Sequence, residues 1–366
     1  MPYMNHNNAS AHWVQQAAQA VDNLSESNAF LLGHISLAIA WARSCTLTRI
    51  AAKLFALGTV PTVERRIQYF LANDKVDWFT GMLCLARWVL TRVFAVTGRV
   101  VLLVDETSLQ EHLKVMVVAL AYRNRAIPLA WWCYPQDRYP LPQVELIDRL
   151  LGLVADAMPK RPMEVLVQAD RGIGCSPELM SKVKKRGWYF LFRVQGSVQL
   201  LLNDGRQVSF SDVVERPSRC FRQEVRTLKK AGWFTYYALG YWKVGQKEPW
   251  LLLSNCPQVT TRHYECRFWE EPAFKDLKSN GFNWQKSHVR IPEHANRLWL
   301  AMALAYVWVI SLGTQALEDC KLLRKVARGK PERLSVFAVG VTLLERLLHL
   351  GVRMRCGPHL NSEFLP

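Results

Sequence analysis

The sequence lacks the cysteine spacing on which small secreted domains and zinc modules depend. It has nine cysteines, and no two of them form a Cys-x-x-Cys pair. Disulfide frameworks need paired cysteines, and structural zinc sites need ligands at short, regular spacing. The pattern therefore argues against both classes and predicts a reducing compartment.

Targeting segments, internal repeats and low-complexity tracts are also missing from the sequence. The first residues, MPYMNHNNASAHWVQQ, contain no basic segment followed by an apolar one, so we expect no secretory signal peptide. One apolar stretch, residues 298–317, has no charge over 20 residues, which is long enough to span a bilayer. It is isolated and contains Ser, Thr and Gln, so we predict a buried helix of a soluble core and no membrane partner.

Acidic residues are too few to balance the basic ones. The 366-residue chain has 47 Lys plus Arg against 30 Asp plus Glu, a formal charge of +17. Such a surplus indicates a polyanionic partner, and nucleic acid fits best, although a merely basic protein stays an alternative. Half of the residues are hydrophobic, which is enough for two or three folded domains.

The chain begins with a region in which apolar residues recur at helical spacing, and we assign residues 1–95 to a helical DNA-binding region. Residues 47–73 predict two short helices around Gly58, the second carrying Arg65 and Arg66. Two short helices joined by a glycine turn are typical of a helix-turn-helix reader of DNA, but ordinary helical hairpins share the pattern.

From about residue 98 the pattern changes to buried strands alternating with helices. Strands are predicted at 99–107, at two places within 112–135, at 164–172 and at 188–194, with helices at 141–158 and 176–187. This order predicts an α/β fold with a mixed sheet. We place the core at 96–320, interrupted by a β-rich insertion at 197–255, with a C-terminal helical region at 321–366.

Two aspartates follow apolar strands of the predicted sheet. Asp105 is predicted to end the first strand, in LLVDE, and Asp170 to end the fourth, in VLVQADRG. Ligands of open sheets bind beyond the carboxyl ends of strands, and hard cations prefer carboxylate oxygens. The two residues are therefore candidate metal ligands, with capping of turns as the alternative.

Four polar residues recur in the segment RHYECRFWEEPAFKDLK. At about 100° per residue, a helix places Tyr264, Arg267, Glu271 and Lys278 on one narrow stripe, and Glu270 lies well off it. A charged, solvated helix face is the alternative, and Pro272 would disturb regular helix geometry.

The spacing Y-(2)-R-(3)-E-(6)-K of these four residues resembles the signature of a group of bacterial insertion-sequence transposases, the insertion-sequence-four family of DDE transposases. LLVDE and the Asp-Arg-Gly at 170–172 are similar to that family's two aspartate motifs. The resemblance covers about residues 98–320. It implies a ribonuclease H-like catalytic core with a β-rich insertion before the helix of the catalytic Glu.

The resemblance also implies roles for individual residues. Asp105, Asp170 and Glu271 would be the catalytic carboxylates and would hold two Mg²⁺ ions, for which Mn²⁺ can substitute. The side chains of Tyr264, Arg267 and Lys278 would bind phosphates near the cleaved end. Trp250 would stack on an unpaired base, with a core tryptophan as the alternative.

The implied function is cut-and-paste transposition of an insertion sequence in the bacterial cytoplasm, at the nucleoid. The partners would be double-stranded DNA, both terminal inverted repeats and target DNA, bound by a homodimer that pairs two ends. Two other functions stay open. One is a catalytically inactive DNA-binding regulator of transposition, and the other is a plain nuclease of the same fold.

Overall fold

A computed structural model describes residues 9–93, 98–109, 111–161, 163–350, 359–361, 363 and 365–366. The chain begins with five helices: α1 (Ala9–Ala20), α2 (Glu26–Ala42), α3 (Leu47–Lys53), α4 (Val60–Ala72) and α5 (Trp78–Val93). A 3₁₀ turn at Phe55–Leu57 and Gly58, whose φ is +140°, separate α3 from α4. The helical hairpin predicted around Gly58 is therefore present.

The core is built on one sheet whose first five strands are β1 (Arg99–Leu109), β2 (Leu113–Tyr122), β3 (Arg125–Pro135), β4 (Glu164–Ala169) and β5 (Tyr189–Arg193). Their order is β3-β2-β1-β4-β5. The strands β1, β2 and β3 pair antiparallel, whereas β4 runs parallel to β1 and β5 parallel to β4. The predicted fold class, an α/β fold with a mixed sheet flanked by helical regions, is confirmed.

Helices connect the parallel strands, as this topology requires. They are α6 (Gln143–Ala157), the single turn α7 (Arg171–Gly174) and α8 (Pro177–Lys185). The side chain of Ser176 caps α8 by accepting a hydrogen bond from the N–H of Leu179, and Gly187, with φ +73°, follows the helix. The helix predicted at 176–187 is therefore present, with its cap and its terminating glycine at the two ends.

The β-rich insertion is an extension of the same sheet. Its strands are β6 (Gln199–Leu201), β7 (Gln207–Ser209), β8 (Cys220–Thr227), β9 (Phe234–Tyr241) and β10 (Trp250–Ser254). β10 pairs antiparallel with β5, and the order continues β10-β9-β8-β6-β7. The backbone hydrogen bonds between β5 and β10 therefore make the insertion continuous with the first five strands of the sheet.

The segment predicted as one helix from Arg262 to Lys278 changes its pitch twice. It is a 3₁₀ helix at Thr261–Trp269, an α-helix, α9, at Glu270–Lys275, and a π-helical turn at Asp276–Asn280. A uniform rotation of about 100° per residue was therefore the wrong geometry for this segment.

The long apolar helix α10 (Pro292–Glu318) lies in the centre of the molecule. It has the length and hydropathy of a membrane span, but 94% of its most apolar window is buried inside the fold. α10 packs against β3, α2, α5 and the last helix, α12 (Val336–Leu350). Between α10 and α12 lies α11 (Cys320–Val326), at the start of the C-terminal region that the sequence predicted to be helical.

Candidate active site

The two aspartates lie side by side where the pairing between β1 and β4 ends. The last pair of this register is Val104 with Ala169, so Asp105 in β1 and Asp170, directly after β4, are the next residues along the two chains. Asp105 lies inside β1 and not at its end, because β1 continues to pair with β2 as far as Leu109. The expectation that Asp105 ends its strand was wrong on that point.

Hydrogen bonds to backbone amides orient both carboxylates. Asp105 Oδ1 accepts from the N–H of Glu106 at 2.9 Å, and Asp170 Oδ1 accepts from the N–H of Ile173 at 3.0 Å. The second bond makes Asp170 the cap of α7. The alternative considered for this residue, a turn-capping aspartate, is therefore present together with its position beside Asp105.

The 3₁₀ helix brings a third carboxylate to these aspartates. Thr260 and His263 start the helix with a capping box, in which the Thr260 N–H donates to His263 Nδ1 at 3.0 Å. With three residues per turn, residues i and i+3 lie on the same line, so Tyr264, Arg267 and Glu270 share one face. Glu270 is fully buried, whereas Glu271 points to solvent.

The guanidinium of Arg267 joins the three carboxylates. Its Nη2 lies 3.0 Å from Asp105 Oδ1 and 3.9 Å from Asp170 Oδ2, and its Nη1 lies 3.1 Å from Glu270 Oε2. Arg267 itself is only 7% exposed. One buried cation therefore sits among three acids that come from β1, the end of β4 and the start of α9.

Burial dominates the electrostatics of this cluster. It raises the pKa of Asp105 to about 6, against the opposing effect of Arg267. Burial and the charge of Asp105 raise the pKa of Glu270 well above its usual range, while Arg267 acts in the opposite direction. Burial would lower the pKa of Arg267, but the surrounding acids raise it. These acids favour any partner, proton or cation, that neutralises them.

Two other residues of the predicted stripe also face this cluster. Tyr264 is buried, and its hydroxyl donates to the carbonyl of Ala169 at 3.3 Å, directly before Asp170. Lys278 is half-buried, and burial lowers its pKa while the nearby Asp105 carboxylate raises it. Tyr264 thus ties the 3₁₀ helix to the end of β4, and Lys278 adds a second cation near Asp105.

An aromatic cluster adjoins the site at the start of β10. Trp250 is 7% exposed, because two aromatic rings cover it. The ring of Tyr264 packs edge-on against it with 5.6 Å between ring centroids, and the ring of Phe268 stacks on it with 5.5 Å between ring centroids. Phe268 is 39% exposed and follows Arg267 directly. The accessible ring of the cluster therefore belongs to Phe268, which the sequence analysis did not single out, and base stacking by Trp250 stays a prediction.

Two arginines contact the loop that precedes Trp250 through ion pairs with Glu248. Glu248 accepts hydrogen bonds from Arg171 at 2.8 Å and from Arg193 at 2.7 Å. Arg171 follows Asp170, and Arg193 ends β5. These ion pairs link the loop before β10 to α7 and β5, and because Glu248 and Arg171 are about half exposed, strand pairing contributes more to holding the insertion.

The donor set fits divalent cations, although it surrounds a guanidinium in this structure. Carboxylate oxygens are the ligands that Mg²⁺ and Mn²⁺ prefer, and neither oxygen of Glu270 accepts a hydrogen bond from any described residue. Within the described ranges, no three acidic, His or Cys side chains are already arranged around a common metal position. Arg267 lies between the acids that would have to converge.

The structure brings together Asp105, Asp170, Arg267, Tyr264 and Lys278 but leaves Glu271 outside this group. In the part of the chain that is described, Glu271 makes no ion pair with these residues, and its role as a metal ligand stays a prediction. An α-helical spacing places Glu270 off the stripe, so the prediction from the sequence did not include it. A 3₁₀ spacing of Tyr264, Arg267 and Glu270 was the signal that would have found it.

Residues 144–308, a little under half of the chain, match the family model of the transposase DDE domain. This match supports a transposase of the DDE type; the matched range includes Asp170 and both glutamates but begins after Asp105. No curated protein sequence matches the chain. A cryo-EM structure of the piggyBac transposase synaptic complex with hairpin DNA aligns over 93% of this chain and 78% of that chain, with 10% sequence identity and a TM-score of 0.42.

Proposed function

We propose that this protein is an insertion-sequence transposase that cuts and joins DNA ends at the cluster of Asp105, Asp170 and a third carboxylate. The observation that carries the proposal is the placement of two aspartates, Asp105 within β1 and Asp170 directly after the adjacent strand β4, around one buried cation. The match to the transposase DDE domain supports the same reaction class. The YREK spacing supports the insertion-sequence-four family within it.

The third carboxylate comes from the pair Glu270–Glu271. The motif spacing favours Glu271, whereas the ion pair with Arg267 and complete burial favour Glu270. Two divalent cations, Mg²⁺ or Mn²⁺, bound by these acids would activate the attacking oxygen and stabilise the leaving oxygen of a phosphodiester.

The remaining residues of the site would hold the DNA. Lys278 and the arginines near Asp170 supply cations at the edge of the cluster, and phosphates are the anions that such cations bind. Phe268 and Trp250 offer aromatic faces beside the same edge, where an unpaired base could stack. The partners we propose are terminal inverted repeats and target DNA, held by a homodimer at the bacterial nucleoid.

The test uses a duplex of the gene's own flanking DNA in Mg²⁺, with wild type, Asp105→Asn, Asp170→Asn, Glu270→Gln and Glu271→Gln. We expect the wild type to nick at the repeat end and to join the cut end to a second duplex. Each aspartate variant should bind the duplex normally but cut at least about a hundredfold more slowly, because an amide removes a metal-binding charge. Of the two glutamate variants, the one that loses cleavage identifies the third carboxylate.

Three results would contradict the proposal in different ways. Equal cleavage by wild type and both aspartate variants would place the reaction elsewhere. Cleavage without joining would indicate a plain nuclease. Binding without cleavage by the wild type would indicate a DNA-binding regulator of transposition.

A further inference from the structure

A buried ion pair lies two residues before Lys278 in the chain. Arg125, the first residue of β3, donates from its Nε to Asp276 Oδ2 at 2.5 Å. The hydroxyl of Tyr306, in α10, donates to the same oxygen at 3.3 Å. Asp276 is only 7% exposed. The carboxylate of Asp276 is therefore fixed by two elements that lie far from it in the sequence.

The backbone of Asp276 closes the turn that carries Lys278. Asp276 is the first residue of the π-helical turn Asp276–Asn280, and Lys278 is the third. The carbonyl of Asp276 accepts from the N–H groups of Gly281 and Phe282, the second at 2.7 Å. Single π-helical turns are rare and are frequent at functional sites. Asp276 thus joins the turn to the core through its side chain and closes the turn through its carbonyl.

The C-terminal helix α12 supports the same turn. Arg125 Nη2 donates to the hydroxyl of Ser335, directly before α12, at 2.7 Å. A Cβ atom on Gly281 would lie 2.2 Å from the Asp276 carbonyl oxygen and 2.6 Å from Cζ of Phe337. The end of the turn therefore rests directly on α12, and β3, α10 and α12 all meet at the Arg125–Asp276 pair.

Lys278 depends on this support for its position. Its side chain is half-buried, and the charge of Asp105 acts on its ammonium group. That group forms no ion pair with another described residue. The direction in which Lys278 points is therefore set by the backbone of the turn and not by contacts of its own charge.

We propose that Asp276 and Arg125 are positioning residues, which hold the π-helical turn so that the ammonium group of Lys278 meets a DNA phosphate beside Asp105. The inference rests on the proposed function, in which Lys278 binds phosphate. A buried ion pair stabilises a fold no better than apolar packing of the same volume, so fixing one geometry is its more useful effect. Asp276 and Arg125 lie in the core, and they act on DNA only through Lys278.

The first experiment measures binding of the full-length protein to a duplex of the gene's own flanking DNA, by fluorescence anisotropy in buffer without divalent cations. Lys278→Met should weaken binding about tenfold, because a charged hydrogen bond to phosphate is lost. Asp276→Asn keeps the size of the side chain and should weaken binding about fivefold. In the double variant, Asp276→Asn should cause no further loss, because its effect passes through Lys278.

Asp148→Asn is the matched control. Asp148, on α6, also pairs with an arginine, Arg186, at 2.5 Å, and its replacement changes the net charge by the same amount. This variant should bind the duplex at least as tightly as the wild type. An equal loss from Asp276→Asn with and without Lys278 would overturn the proposal, because a merely structural effect does not depend on Lys278. Unchanged binding by Lys278→Met would overturn it as well.

The second experiment measures hydrogen exchange of the peptide that contains Gly281 and Phe282, by mass spectrometry without DNA. Asp276→Asn should speed exchange of these two amides about tenfold, while the strands β5 and β10 keep the wild-type rate. Tyr306→Phe removes only a hydroxyl and covers the case in which Asp276→Asn does not fold; it should speed the same exchange about threefold. Wild-type exchange in both variants would refute the positioning role. Because this measurement omits DNA, it separates a failure of the positioning role from a failure of the proposed function.

Discussion

At the scale of single residues, the local helix pitch gives two neighbouring glutamates, Glu270 and Glu271, different surroundings. Glu270 and Glu271 have the same chemistry, yet one is fully buried beside Arg267 and the other is exposed. The difference follows from the 3₁₀ geometry of residues 261–269, which aligns Glu270 with Arg267 and turns Glu271 away. The motif spacing selects Glu271, whereas the observed pitch places Glu270 beside Arg267, because a spacing in the sequence becomes a position in space only when the helix pitch is known.

His34 is a second residue whose buried surroundings change a measurable property, the pKa of its side chain. It is 2% exposed on α2, and among the described residues neither ring nitrogen has a hydrogen-bond partner. Burial lowers its pKa to about 4. The folded protein therefore keeps His34 neutral in a pH range where the unfolded chain takes up a proton.

We predict that His34→Leu stabilises the protein by about 1 kcal/mol at neutral pH, because two unsatisfied polar atoms disappear. The pKa of His34 is lower in the folded than in the unfolded state, so stability is lost as pH falls from about 6.5 towards 4. The advantage of His34→Leu should accordingly grow by about 1 kcal/mol at pH 5.5. Urea unfolding at the two pH values measures both effects, and an advantage independent of pH would contradict the assignment.

At the scale of elements, α10 and α12 approach each other closely through two glycines. A Cβ atom on Gly313 would overlap the carbonyl of Val336, and one on Gly340 would overlap the carbonyl of Val309. Both obstacles are backbone atoms, which cannot rotate away as a side chain can. The central apolar helix is therefore held to the C-terminal region by direct backbone contact.

Gly340→Ala should destabilise the protein by roughly 3 kcal/mol, because the added methyl group forces the two helices apart. Gly152→Ala is the matched control, since its nearest neighbour is a side-chain nitrogen of Arg186 at 3.6 Å, an ordinary contact. At that position alanine should be neutral or stabilise α6 by about 0.5–1 kcal/mol. Thermal unfolding of both variants compares them, and equal melting temperatures would show that the helices are not in close contact.

At the scale of the whole molecule, the surplus positive charge is unevenly compensated. Asp148 pairs with both Lys182 and Arg186, so part of the basic cluster at the end of α8 is neutralised. The stretch after α10 differs, because Arg324, Lys325, Arg328 and Lys330 are all exposed. Exposed cations at the surface of a chain with a net charge of +17 form a field that attracts polyanions before any specific contact.

We predict that binding to a duplex of random sequence depends steeply on salt, because each phosphate contact releases counterions. With about six phosphate contacts, affinity should fall by roughly three orders of magnitude between about 50 and 200 mM salt. Fluorescence anisotropy in buffer without divalent cations measures the slope while preventing cleavage. An affinity that is independent of salt would mean that the positive charge does not serve DNA binding.

The sequence by itself determined the elements and their order. The spacing of apolar residues located the helical hairpin, the strands of the mixed sheet and the buried helix. A half-buried strand has apolar residues at every second position, and a half-buried helix has them about every 3.6 positions. It also selected Asp105 and Asp170, since aspartates after apolar strands are costly unless something binds them.

Only the tertiary structure decided which groups meet. The pairing of β10 with β5 made the insertion part of the main sheet. The 3₁₀ pitch placed Glu270 beside Arg267, and the packing of Phe268 covered Trp250. These outcomes depend on hydrogen bonds and contacts between residues far apart in the chain, and a local pattern carries no record of them.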